Sequence, residues 1–172
     1  SKLSKFLEQR LDEHVFAGTD RADNHGVTVR VITNVPRSVK CSQKLDTRYQ
    51  RQSVELPYMQ KHILAFYRCP DGSEIAFFSL LVQEYGADCP EPNRNKAYIS
   101  YLDSNQLYHC PECAAHQDQV GADCWTRAKS LPQCGCSMPA ECKQERRKIY
   151  DNLFIGYLDY LRQRGLHRAY IW

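Results

Sequence analysis

No apolar run in this 172-residue chain approaches the roughly 20 residues that a membrane-spanning helix needs. The first segment alternates charges with hydrophobes and shows no apolar h-region, so no signal-peptide pattern is present. An excess of one charge is missing too: the net charge is +3, and a nucleic-acid footprint needs Lys and Arg clustered on one face. Lys40, Lys44, Arg48 and Arg51 are spread over a polar stretch that reads as a solvated loop. Neither membrane attachment nor direct nucleic-acid binding is therefore expected. Internal repeats are absent. Nine cysteines, an odd number with no secretory signal, argue against a disulfide framework. What remains is an ordinary globular composition, 42% hydrophobic and 25% charged, long enough for one domain with a real core. The chain opens at Ser1 without an initiator Met and closes at Trp172 after a strand-like stretch, so it is expected to be a piece of something longer.

Periodicity assigns the elements. Leu3, Phe6, Leu7, Leu11 and Val15 recur at helical spacing, and the helix closes near Gly18. Val27, Val29 and Val31 alternate with polar residues as in a half-buried strand. Residues 34–57 are long, polar and basic, and are expected to wrap the surface without regular structure. Strands over 63–67 and 74–82 flank Cys69-Pro70-Asp71-Gly72, a turn sequence, and predict a β-hairpin. Residues 75–82 (IAFFSLLV) are almost wholly apolar, as in a strand buried on both faces. An ordered loop over 86–95 and a strand over 97–102 follow. Regular structure is expected again from about Arg146. Ile149, Leu153, Tyr157 and Leu161 mark a mostly buried helix, Gly156 inside it suits a close backbone contact, Gly165 suits its C-terminal cap, and 169–172 start another strand. The sum is a mixed α/β fold: a central mixed β-sheet flanked by helices, with a cysteine-rich insertion over 105–145 between a central strand and the following helix.

Residues 82–90 (VQEYGADCP), 98–104 (YISYLDS) and 155–160 (IGYLDY), the last leading into Ile171-Trp172, closely resemble the CREB-binding-protein family of histone (lysine) acetyltransferases. The strings are long and ordered, and the likeness covers about 130 of the 172 residues, leaving out the insertion. The resemblance implies acetyl-CoA bound across strand ends of a mixed sheet. It implies that Leu102, Asp103 and Ser104 meet the pantetheine arm, that Arg146 meets the CoA phosphates, and that Trp172 lines the tunnel for the substrate lysine. Arg147 stands where the family usually has Thr and is a further candidate for the phosphates. The implied partners are histones, other nuclear proteins and transcription factors, and the implied compartment is the nucleus. The family's general-acid tyrosine and further CoA-contacting residues fall beyond the equivalent of Trp172. Residues 1–172 are thus expected to be a partial catalytic domain carrying the cofactor-facing part.

These residue types suit that chemistry on their own terms. Unpaired N–H groups where a strand feeds a helix attract anions, and Arg adds a fork that fits phosphate. Acetyl transfer needs a neutral amine, which at pH 7.4 costs a free lysine about 4 kcal/mol. An aromatic tunnel lowers that cost by desolvating the ammonium. Plainer roles stand beside these. Asp103 and Ser104 suit a turn cap, Trp172 suits a core, and Cys89, with no paired His, suits an inert buried thiol.

Six of the nine cysteines crowd into the insertion. Cys110-x-x-Cys113 forms a knuckle-like pair, with Cys134 and Cys136 some 20 residues on and Cys142 and His116 nearby, and four thiolates or three plus His would hold a tetrahedral zinc ion. The alternative is an insertion without order of its own, such as retained non-coding sequence. A second reading of the whole chain follows: a non-catalytic transcriptional interaction module carrying a zinc-bound insert.

Overall fold

A computed structural model describes residues 1–19, 26–42, 44, 47–48, 55–69, 72–105 and 140–171, with side chains from 143 onward in the last stretch. Helix α1 (Lys2–His14) leads into strands β1 (Val27–Lys40), β2 (Glu55–Arg68), β3 (Glu74–Tyr85) and β4 (Lys96–Ser104). Helix α2 (Ala140–Gln163) and strand β5 (Arg168–Ile171) follow. The five strands lie in the order of the chain. Pairing is antiparallel from β1 to β4 and parallel between β4 and β5, so the sheet is mixed.

Both helices pack on one face. Leu3, Leu7 and Leu11 of α1 and Ile149, Leu153, Tyr157 and Leu161 of α2 are buried with Val27, Val29, Ile63, Ala65, Leu80, Val82 and Ile99 from the strands. The α1 start is capped by Ser1, whose Oγ accepts from Ser4 N at 3.0 Å. The α2 end closes in a Schellman motif: Gly165 N donates to Arg162 O and Leu166 N to Leu161 O, both at 3.0 Å, with Gly165 at φ 85°. Gly156 is where the two helices touch. A Cβ there would stand 2.6 Å from Arg10 Cδ and 3.0 Å from Leu7 Cδ2, so the close approach read from the sequence is real.

Three sequence expectations are corrected. The polar stretch after Val31 does not leave the sheet: β1 continues to Lys40 and pairs with β2 from Glu55, through a bulge between Val31 and Thr33. Pro36 is accommodated because β1 is the edge strand. The apolar run in β3 is not covered on both faces. Ser79, Leu81 and Gln83 are half-buried on the side away from the helices, while Leu80, Val82 and Glu84 point into the core. Phe77 and Phe78 are both buried because a bulge opposite Ala65 and Phe66 lets neighbouring residues face the same way. Finally, α2 begins at Ala140, six residues before the expected start.

Candidate functional site

Three strand and helix ends meet at one end of the sheet. Opposite the start of β3, the last residues of β4 pair Asp103 with Ser79 and Ser104 with Phe78. Asn105 ties the exit down: its N donates to Phe77 O at 3.1 Å and its Nδ2 to Ala76 O at 2.7 Å. From α2, Tyr150 stacks on Phe77 and Phe78, with centroids 5.8 and 5.9 Å apart. Its hydroxyl donates to Asn105 O at 2.6 Å. Burial pushes the Tyr150 phenol up, against the opposing pull of Arg146 and a hydrogen bond with Ser104. Tyr150 is thus the post between the strand end and the helix.

Arg146 lies one helical turn before Tyr150 and on the same face, its Cζ 6.0 Å from the Tyr150 ring centroid. Its Nη1 is buried and has no hydrogen-bond partner among the described residues. An unpaired buried donor on a cation is costly unless something outside the fold completes it. A cavity of about 160 Å³ opens beside the strand end, bounded by Asp103, Ser104 and Asn105 and by the apolar Leu64, Phe77 and Phe78. The arrangement suits a ligand with an anionic end for Arg146 and a slender, largely apolar arm along β4.

The other expected residues fall as follows. Leu102 is 48% exposed on β4 and open to solvent. Arg147 is turned about 100° around the helix from Arg146. It is 84% exposed and faces Asp151 at 3.8 Å, so the strand end and Arg147 are not brought together. Trp172 and Cys110, Cys113, Cys134 and Cys136 lie outside the described residues. Among the described residues no group of three or more His, Cys, Asp or Glu could hold a metal ion. Cys89 is fully buried, and burial raises its thiol, which fits the inert reading.

Two larger cavities lie at the far end of β3. One, of about 250 Å³, is walled by Tyr85, Tyr98 and Tyr170. The other, of about 300 Å³, has Glu84 on its floor. The Glu84 carboxylate accepts from Lys61 Nζ, from Arg164 Nη1 at 2.6 Å and from Tyr157 Oη at 3.0 Å. Its hydrogen-bonding capacity is taken up by the fold, so volume alone does not make this a binding site. The sequence had one signal for the cluster, a charged residue ending a long apolar strand.

The sequence model of the histone acetyltransferase domain KAT3 matches residues 14–117, more than half of the chain. The chain belongs to the KAT3 histone acetyltransferase family. Curated relatives agree. The chain is 28% identical over 186 residues to "Probable histone acetyltransferase HAC-like 3" of rice, covering 100% of this chain and 12% of the relative. It is 32% identical over 149 residues to rice "Probable histone acetyltransferase HAC-like 2", covering 86% and 8%. It is 28% identical over 176 residues to "Protein cbp-1" of Caenorhabditis elegans, covering 100% and 7%. The chain thus spans about a tenth of the length of these relatives. On the KAT3 frame, the strand-end pocket takes Asp103 and Ser104 from one of the strings that carry the family likeness, residues 98–104.

The tyrosines at the far end of β3 make alkali an informative probe. The Tyr85 phenol is pushed up to about 12, first by burial and then by Tyr58, Cys89 and Tyr98. Tyr157 is pushed well above its ordinary value by burial and by the Glu84 carboxylate. Both pKa values are raised, so the stability these protonated phenols contribute is complete below pH 10. It is lost as the pH climbs from 10 towards 12. Lys61 runs the other way, its ammonium lowered by burial, and its effect ends at pH 10.5. The urea midpoint should therefore fall between pH 10.5 and 12. Tyr85→Phe should flatten that fall, and an unchanged slope would contradict it.

Proposed function

We propose that this KAT3 domain binds acetyl-CoA at the end of β4 and presents its acetyl group for transfer to lysines of histones and other nuclear proteins, in the nucleus. The observation that carries the reading is the buried Nη1 of Arg146, which has no hydrogen-bond partner among the described residues and stands one helical turn from the Tyr150 that holds the end of β4. Arg146 would take a phosphate of the CoA, and Leu102, Asp103 and Ser104 would flank the pantetheine arm. The cofactor supplies an activated acetyl thioester. The chain's own task is to orient it: the end of β4, held by the Tyr150 hydroxyl on Asn105 O, fixes one wall, and the apolar side chains of Leu64, Phe77 and Phe78 limit water around the arm. Trp172, one residue past the end of β5, would supply an aromatic wall that eases deprotonation of the incoming lysine.

The test is calorimetric titration of this chain with acetyl-CoA and with acetyl-pantetheine, which lacks the phosphates. Saturable binding of acetyl-CoA, weakening markedly without the phosphates, is the expected result. No binding at millimolar ligand would sink the reading. The Cys110-x-x-Cys113 and Cys134/Cys136 spacing supports a zinc ion in the insertion, and metal analysis should then find one zinc per chain. Zinc without acetyl-CoA binding would favour the non-catalytic interaction module instead.

A further inference from the structure

A reactive pair of side chains lies on the open face of the sheet beside this pocket. His62 of β2 and Ser79 of β3 share a hydrogen bond of 2.9 Å between Nε2 and Oγ. They sit diagonally across the ladder, since Ser79 pairs with Leu64 and His62 with Leu81. Asp103 is the direct neighbour of Ser79 on the other side. Ser79 itself lines the 160 Å³ cavity. Transfer to lysine makes no use of this pair. A hydroxyl within hydrogen-bond reach of an imidazole is nonetheless the arrangement that turns serine into a nucleophile. Two paired strands hold the two groups in place more firmly than a loop would.

We propose that Ser79 is an acetyl acceptor inside the donor pocket, with His62 as its base. The proposal rests on the acetyl-CoA reading for its donor. In the tautomer with Nε2 unprotonated, the Ser79 proton passes to His62 as Oγ bonds to the thioester carbonyl carbon. The C–S bond then breaks, and His62 returns the proton to the CoA sulfur. The products are O-acetylserine at 79 and free CoA. Two N–H donors of the cavity lining are engaged already: Ser104 N with Asp103 Oδ1 at 2.8 Å, and Asn105 Nδ2 with Ala76 O at 2.7 Å. The oxyanion formed on attack is therefore poorly supported, and the event is one acetylation per chain rather than rapid turnover. Once attached, the acetyl group occupies part of a small cavity and hinders the next donor.

The experiment incubates the folded chain with acetyl-CoA and, separately, with p-nitrophenyl acetate, an acetyl donor that needs no CoA site. Peptide mass spectrometry should show a gain of about 42 Da, an acetyl in place of a proton, on Ser79 within tryptic peptide 69–94. His62→Gln should slow labelling about 100-fold, the scale of lost general-base help, and Ser79→Ala should remove it. Thermal melts establish that each variant is folded. Labelling by the ester but not by acetyl-CoA supports the acceptor and overturns the acetyl-CoA reading. No label on Ser79 from either reagent, or a rate indifferent to His62→Gln, overturns the proposal.

Discussion

Arg146→Gln should weaken acetyl-CoA binding about 10- to 100-fold while leaving the fold as stable as before or slightly more so. Hydrogen bonds to charged groups contribute about 1.5–3 kcal/mol, and each 1.4 kcal/mol is a factor of ten. The unusual part is the sign of the stability effect. Removing an arginine that pairs within a fold leaves its partner stranded. Arg146 Nη1 has no such partner among the described residues, so glutamine strands nothing and relieves a buried unsatisfied donor. Loss of affinity with an undiminished melting temperature is the mark of a group held in readiness for a ligand. Arg146→Lys should recover only part of the affinity, because an ammonium keeps the charge but not the fork. Arg147→Gln serves as the comparison. Its side chain faces solvent and Asp151, so a change under about threefold is expected, half a power of ten on the same scale. If Arg147→Gln costs more than Arg146→Gln in a titration at matched salt, the assignment of the phosphate site is wrong.

The second large effect is at Glu84. Glu84→Ala should lower stability by about 3–5 kcal/mol, the usual cost of breaking a buried ion pair from one side. Glu84 is 3% exposed and joins β3 to β2 through Lys61, to α2 through Tyr157 and to the turn after α2 through Arg164. Without it, Lys61 keeps a charge at 8% exposure with no countercharge, or neutralises at a cost. Arg164, 41% exposed, can turn to water and loses less. The damage should therefore be repaired chiefly at Lys61. The pair Glu84→Gln with Lys61→Met should recover most of the loss, since removing both charges together leaves no uncompensated buried charge. Urea denaturation of the single and double variants measures this. If the double variant is as unstable as Glu84→Ala, the carboxylate acts through Tyr157 and Arg164 instead.

Glu84 also shows where sequence reading stops. It lies inside one of the strings that carry the family likeness, yet nothing in its neighbours says that its charge is buried. Its three partners come from residues 61, 157 and 164, and only the packing of α2 on the sheet brings them together. Tyr150 is similar. Its spacing of four from Arg146 is visible in the chain, but its hydroxyl on Asn105 O depends on how β4 ends.

The residues at 83–104 and 149–160 determined the family, the body of helix α2 and the strand that ends at Asp103 and Ser104, and those at 63–82 the hairpin. Local patterns suffice there because burial of one face imposes a periodicity that the chain itself displays. The sequence likewise determined Gly156 and Gly165, whose roles follow from a missing Cβ. Only the tertiary structure decided that residues 34–40 and 55–62 are strands. An edge pairing is held by backbone hydrogen bonds, which polar side chains and a proline do not advertise. It alone separated Arg146 from its neighbour Arg147, because a single step around a helix sends one side chain under Tyr150 and the other into water. And it alone set His62 against Ser79, since register between strands is fixed by the whole sheet and by its bulges, not by either strand's own residues.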